Sequence, residues 1–264
     1  MSVLSKHNGS ASRAASAQSV PPAPEIRPGD RQLSRWGGVA GLGGVVLMVG
    51  SLVVVGSLGL PDASDVETLT DFADIEAGRI AEHFLYLGAV VLFALHALVL
   101  YRLLSPVHAP AALFGTAMAE FGLIIMAASS VLHVSTSPLA DLYTEPGTTP
   151  EDLRSIEHAW HGAQSVFDTM LITGVLLVPI GIVLLGVAMR RAPAFGTRLA
   201  GLTIGLGTLG IVGAVIAIVD PGSMFAAVSV LVIVVFNLVI GWRTLKLGTS
   251  ETIDLAETQP APVA

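Results

Sequence analysis

The chain has 264 residues, 53% of them hydrophobic and only 12% charged, whereas an average soluble domain carries about 25% charged residues. With a mean hydropathy of +0.75, this composition belongs to a protein that lives in lipid and excludes a large soluble catalytic domain. There is no cysteine, so disulfides, thiolate metal sites and thiol nucleophiles are excluded, and any metal must be held by His, Asp or Glu. A net charge of -7 argues against nucleic acid, which is bound through a basic surface that releases phosphate counterions.

Residues 1–35 are rich in Ser, Ala and Pro and hold no apolar run. Such a segment cannot bury enough surface to fold and is expected to be a disordered cytoplasmic tail. Apolar runs follow at about 36–60, 80–104, 110–135, 159–189, 197–219 and 223–242, each near or above the roughly 20 residues that cross a bilayer as helix. Because backbone groups in lipid must be satisfied within their own segment, the runs predict an all-α polytopic protein of six transmembrane helices. They are continuously apolar and do not alternate, unlike the strands of a membrane barrel. The transmembrane domain is expected over 36–246, followed by a second disordered cytoplasmic tail over 247–264. The first run begins too late for the core of a secretory signal and is long enough to span, so it is expected to be retained.

Basic residues set the orientation. With the N-terminus inside, 11 of the 13 Lys and Arg fall on the inner side, and only Arg79 and Arg154 lie outside. The positive-inside rule therefore predicts a cell-membrane protein with both termini cytoplasmic. The two long outer connections are acidic, with Asp62, Asp65, Glu67, Asp71, Asp74 and Glu76 in the first and Asp141, Glu145, Glu151, Asp152 and Glu157 in the second. Such runs are ordinarily solvated faces.

Glycines crowd the first span (Gly37, Gly38, Gly41, Gly43, Gly44) and the fifth (Gly201, Gly205, Gly207, Gly210, Gly213). Small residues let helices approach closely in lipid, so both stripes are expected to be packing faces, within the chain or in a homo-oligomer. Gly205-Leu206-Gly207-Thr208-Leu209-Gly210 spells a dinucleotide fingerprint, but it lies inside a span with no strand before it, and that reading is rejected. Pro179 interrupts the backbone bonding of the fourth span and predicts a bend there.

An ionisable group at the bilayer centre costs at least about 2.5 kcal/mol, which makes each one a functional candidate. They sit in three spans: Glu82, His83 and His96 in the second, Glu120 and His133 in the third, and His158, His161 and Asp168 in the fourth, with Glu157 at its lip. The predicted topology brings His83, His133, His158 and His161 to the outer boundary. On the fourth span Glu157, His158, His161, Gln164, Ser165 and Asp168 share about one third of the helical circumference. Neutral imidazoles are ordinary ligands for zinc and other divalent metals. The four histidines are the candidate metal set, with Glu82 and Asp168 as candidate proton carriers for a metal-activated water. A single haem between His83 and one of the other three is the second cofactor reading. Deeper, His96, Glu120 and Asp168 suggest a proton or ion path, or hydrogen bonds that fix helix packing. His108, in the short inner connection, has no assigned role.

Ser129-Ser130-Val131-Leu132-His133 resembles the SxxxH element of the membrane hydrolase superfamily of alkaline ceramidases and adiponectin-type receptors. The resemblance extends to Ser129 and His133 and implies zinc-dependent hydrolysis of lipid amides or esters. That superfamily has seven helices and a late HxxxH motif, whereas this chain has six predicted spans and His158-Ala159-Trp160-His161. Over about 210 residues the layout is more similar to a bacterial six-span family of unknown function, DUF4386. The similar segments are Tyr101-Arg102-Leu103-Leu104, Arg198-Leu199-Ala200-Gly201-Leu202 and Phe236-Asn237-Leu238-Val239-Ile240-Gly241-Trp242. This second resemblance implies a fold and a membrane location and no activity. The leading functional expectation is a site for a metal ion or small polar ligand, in a cavity among the second to fourth spans that opens outward. A metal-dependent hydrolase, a proton-coupled solute transporter and a mono-haem cytochrome are the alternatives.

Overall fold

The structure, a computed structural model, describes residues 28–59, 67–220 and 225–249, the side chains of Pro28, Glu67, Thr68, Ala73 and His133 excepted. The tails expected at either end fall largely outside the described residues, which begin at 28 and stop at 249. The described residues form α1 (Pro28–Leu58), α2 (Glu67–Val134), α3 (Ser137–Thr144), α4 (Pro150–Met189), α5 (Gly196–Val219) and α6 (Phe225–Thr249), with no strand among them. Five of these helices, all but α3, are long and apolar enough to cross a membrane.

The second and third apolar runs are joined in α2, which is interrupted at His108, where φ is -153° and ψ is 73°. The cause is local. Pro106 and Pro110 flank the break, and a proline both lacks the N–H for the helical ladder and crowds the carbonyl one turn earlier. His108 then starts the second leg, its Nδ1 accepting from the Ala111 N–H at 3.5 Å, in the manner of a helix cap. The two legs fold back on each other, because Ile80, His83, Phe84 and Leu87 of the first line one groove with Ser130, Val131 and Val134 of the second.

α1, α2 and α4 start well before their apolar runs, α2 at Glu67. α1 begins at Pro28, and its polar first turns are held by other elements: Arg35 Nε donates to the Gly248 carbonyl at 2.7 Å, and Asp30 lies 3.8 Å from Arg102 Nε. α4 begins at Pro150, where Thr149 is the cap; its Oγ1 accepts from the Asp152 N–H at 3.2 Å and donates to Asp152 Oδ2 at 2.6 Å.

Neighbouring helices run antiparallel around a closed ring. Gly37 and Gly44 of α1 rest on Val99 and Phe93 of α2; Gly115 and Gly122 of α2 rest on Leu185 and Val178 of α4. Gly186 and Pro179 of α4 meet Ile204 and Gly210 of α5, Gly213 of α5 meets Ser229 of α6, and Gly241 of α6 returns to Gly41 of α1. Thus the α1 stripe of Gly37, Gly38, Gly41, Gly43 and Gly44 is occupied within the chain, whereas a methyl group on Gly56 would meet nothing within 4 Å. In α5 the expected stripe divides: Gly207, Gly210 and Gly213 are packed, whereas a methyl group on Gly201 or Gly205 would meet nothing within 4 Å. α4 is continuous through Pro179, which is buried and packs its ring on Gly210.

These contacts predict a sharp contrast between two glycines. A methyl group on Gly181 would sit 2.6 Å from the Ala119 nitrogen and the Gly115 oxygen, backbone atoms with no room to move. Gly181→Ala is expected to destabilise the bundle by about 1–3 kcal/mol, whereas Gly201→Ala is expected to be silent. Detergent-denaturation curves of the two variants, followed by circular dichroism, check this.

Candidate functional site

One end of the bundle carries Gly59, the start of α2, α3 and the start of α4. On the first leg of α2, Arg79, Glu82, His83 and Tyr86 have the spacing that places side chains on one helical face. Arg79 is only 3% exposed, and a guanidinium is rarely buried unless it is paired. Its Nη1 donates to Glu82 Oε2 at 3.4 Å and its Nη2 to the Gly59 carbonyl at 2.5 Å, which ties the end of α1 to α2. His83 Nδ1 lies 2.7 Å from the Arg79 carbonyl and 3.5 Å from Glu82 Oε2. A carbonyl only accepts, so Nδ1 is the donor to it. Arg79 Nε and Tyr86 Oη are buried with no hydrogen-bond partner among the described residues.

The His83 ring also lines the groove between the two legs of α2. This cavity of about 280 Å³ is walled by Ile80, His83, Phe84, Leu87, Ser130, Val131, Val134 and Ser135. Its wall is mostly hydrocarbon, and Phe84 and Val131 stand exposed at its mouth. A small apolar trough therefore adjoins a buried, charged cluster, with His83 common to both.

α3 crosses the same end as a short amphipathic bar. Ser137 donates to Glu76 Oε1, and Tyr143 Oη donates to Glu157 Oε1 at 3.1 Å, so α3 is tied to both α2 and α4. Beneath it Trp160, fully buried, stands edge-on to Phe72 with ring centroids 5.5 Å apart.

The expected metal and proton-transfer residues are distributed unevenly. Glu82 and His83 belong to the Arg79 cluster. The α4 stripe is split by the packing: Gln164 is buried, His161 is half-buried, and His158, Ser165 and Asp168 are exposed. Asp168 accepts from Gln164 Nε2 at 3.4 Å, one turn away on its own helix. His133 lies in α2 with its side chain outside the described residues. Among the described residues no three His, Asp or Glu side chains group as a metal site. Ser129, the hydroxyl of the hydrolase-like element, donates to the Met126 carbonyl at 2.8 Å within its own helix.

Arg79 is the residue that sequence reasoning passed over, counting it only as a cation on the outer side. A signal was there. It stands one turn before Glu82 and His83 at the start of an apolar run, where an unpaired cation would be costly.

Long apolar helices with ionisable groups buried among them define a polytopic α-helical membrane protein. Residues 37–243 match the profile of a family described as a domain of unknown function (DUF4386), and the chain belongs to that family. No curated protein and no solved structure matches, and the hydrolase resemblance of Ser129 and His133 finds no support in these comparisons.

The pairing of Arg79 has a measurable consequence. Removing one partner of a buried pair strands the other charge, at about 3–5 kcal/mol. Glu82→Ala is therefore expected to lower the unfolding midpoint more than the double variant Arg79→Ala/Glu82→Ala. Equal midpoints would show that the pair is solvated.

Proposed function

We propose that the protein is a binding module of the cell membrane. It takes a small amphiphile, with the polar head at Arg79, Glu82 and His83 and the apolar part in the groove between the legs of α2. The observation that carries this reading is that the His83 ring belongs to both the buried ionic cluster and the apolar trough. The head would meet a hydrogen-bonding guanidinium, carboxylate and imidazole, and the tail would meet Leu87 and Val131. Ligand sites commonly combine an apolar lining with a few placed polar groups.

In this reading the chain crosses the membrane six times, α2 contributing two crossings, and both termini are cytoplasmic. Support comes from the basic residues: Arg35, Arg102, Arg190, Arg191, Arg243 and Lys246 belong to the end of the bundle at His108, and the acidic connections to the other. The metal version of the site would use His83 with His133, His158 and His161, and the same preparation tests it.

Native mass spectrometry of protein released from native-membrane nanodiscs is expected to show a retained lipid-like adduct. Leu87→Trp and Val131→Trp, which fill the trough, should each reduce it at least tenfold while the helical circular dichroism is unchanged. An adduct that survives both substitutions, or none in the wild type, would refute the amphiphile reading. Elemental analysis of wild type, His83→Ala and His161→Ala decides the metal version; bound metal must fall in both variants. For topology the cysteine-free chain is convenient. Glu145→Cys is expected to react with an impermeant maleimide on intact cells, and Arg191→Cys only after permeabilisation.

A further inference from the structure

A second polar place lies deep in the bundle, away from the Arg79 cluster. His96 and Glu120 are equidistant in sequence from the break at His108, and the legs that carry them fold back on each other. They therefore lie at one depth, about 18 Å from the turn at 1.5 Å per residue, near the middle of a layer roughly 30 Å thick. His96 is fully buried. Its Nδ1 is 2.8 Å from Asn237 Oδ1 of α6, and its ring lies against Gly41 of α1, where a methyl group would approach Nδ1 to 2.8 Å. Asn237 Nδ2 already donates to the Ile233 carbonyl at 2.9 Å, so its oxygen faces His96 and must accept. Nδ1 of His96 therefore carries the proton, and the lone pair on Nε2 has no partner among the described residues.

On the opposing leg Glu120 Oε1, and Thr116 Oγ1 one turn away, are also buried and unpartnered among the described residues. Nothing else at this depth ionises. α1 over 36–58, α4 over 169–189, α5 over 199–219 and α6 over 225–242 contain no Asp, Glu, His, Lys, Arg or Tyr. On α2 the nearest others are Tyr86 and Tyr101 with Arg102, more than a turn from His96 along the helix. An acceptor nitrogen and a carboxyl oxygen at one level, with a hydroxyl one turn nearer the break, each unpartnered among the described residues, give a trapped water the two to four polar partners that it needs.

We infer that His96 Nε2 and the Glu120 carboxyl form a proton-holding pair bridged by water in the middle of the membrane domain. The pair shares one proton between two basic atoms. When the Glu120 O–H bond breaks, its proton passes to the bridging water, and that water delivers one of its own to Nε2, forming the N–H bond. The products are a carboxylate and an imidazolium held by Asn237. Net charge is unchanged and no electron moves. The inference is independent of any ligand in the groove of α2.

Solid-state nuclear magnetic resonance of ¹⁵N-histidine-labelled protein in lipid nanodiscs tests it, with the His96 signals assigned by their loss in His96→Gln. In Glu120→Gln the Nε2 signal is expected to shift while the Nδ1 signal, set by Asn237, stays in place. Glu120→Asp, which keeps the carboxyl but withdraws it by one methylene, should shift Nε2 by a smaller amount, and it serves alone if the Gln variant does not fold. In infrared spectra a carboxylic-acid carbonyl band lost in either Glu120 variant should move in His96→Gln. An Nε2 signal identical in wild type and both Glu120 variants would overturn the pair. So would coincident shifts of Nε2 and Nδ1, which would mean that Glu120 acts only on packing.

Discussion

Inside a bilayer an apolar side chain gains nothing by leaving lipid for a neighbouring helix, so adhesion must come from close packing and hydrogen bonds. This bundle meets that constraint by setting backbones almost against one another at glycines. Gly181 lies on Ala119, Gly122 on Gly174 and Val178, and Gly41 on the ring of His96. The same contact explains why an imidazole can be buried between α1, α2 and α6: a side chain at position 41 would occupy the volume that the ring fills. Polar locks are placed on this frame. Ser229 donates to the Gly210 carbonyl at 2.7 Å, and His96 meets Asn237, joining α5 to α6 and α2 to α6.

The break at His108 sets the position of everything chemical. Two prolines stop the ladder, and the chain turns back so that residues 80–87 of the first leg face residues 130–135 of the second. Near the open ends of the legs, the hairpin forms the trough beside Arg79, Glu82 and His83. Halfway down, it brings Glu120 to the depth of His96. One turn thus creates both a polar cluster at the end of the bundle beside a hydrocarbon groove and a deep polar level isolated from other ionisable groups. The two differ in the partners on offer. Arg79 finds a carboxylate and a backbone carbonyl, whereas at the deep level His96 finds the amide of Asn237, and His96 Nε2, Glu120 Oε1 and Thr116 Oγ1 have no partner among the described residues.

Much of the fold was legible because lipid imposes rules that act on composition and length. Continuous apolar runs had to be helices, and the glycine stripe at 37–44 of α1 read as a packing face. Less of the site was legible. Predicted topology put Glu82 and His83 at one end of their span, and helical spacing placed Gln164 and Asp168 on one stripe, of which packing buries the first and leaves the second exposed. A helical wheel shows which residues share a face, and only neighbouring helices decide where that face is covered. Arg79 was overlooked because the sequence counts charges by side and cannot show that a guanidinium folds inward to meet Gly59.

By itself, then, the order of residues determined an all-helical membrane architecture, since the hydrogen-bonding demands of a backbone in lipid leave no other form for long apolar runs. Tertiary structure alone decided which polar atoms find partners. The direction of a side chain and the identity of its neighbour depend on how helices rotate about their axes, and glycine contacts between segments far apart in the chain set that rotation. Hence the burial of Arg79, the partnership of His96 with Asn237 and the buried Glu120 oxygen that has no partner among the described residues emerge only once the helices are packed.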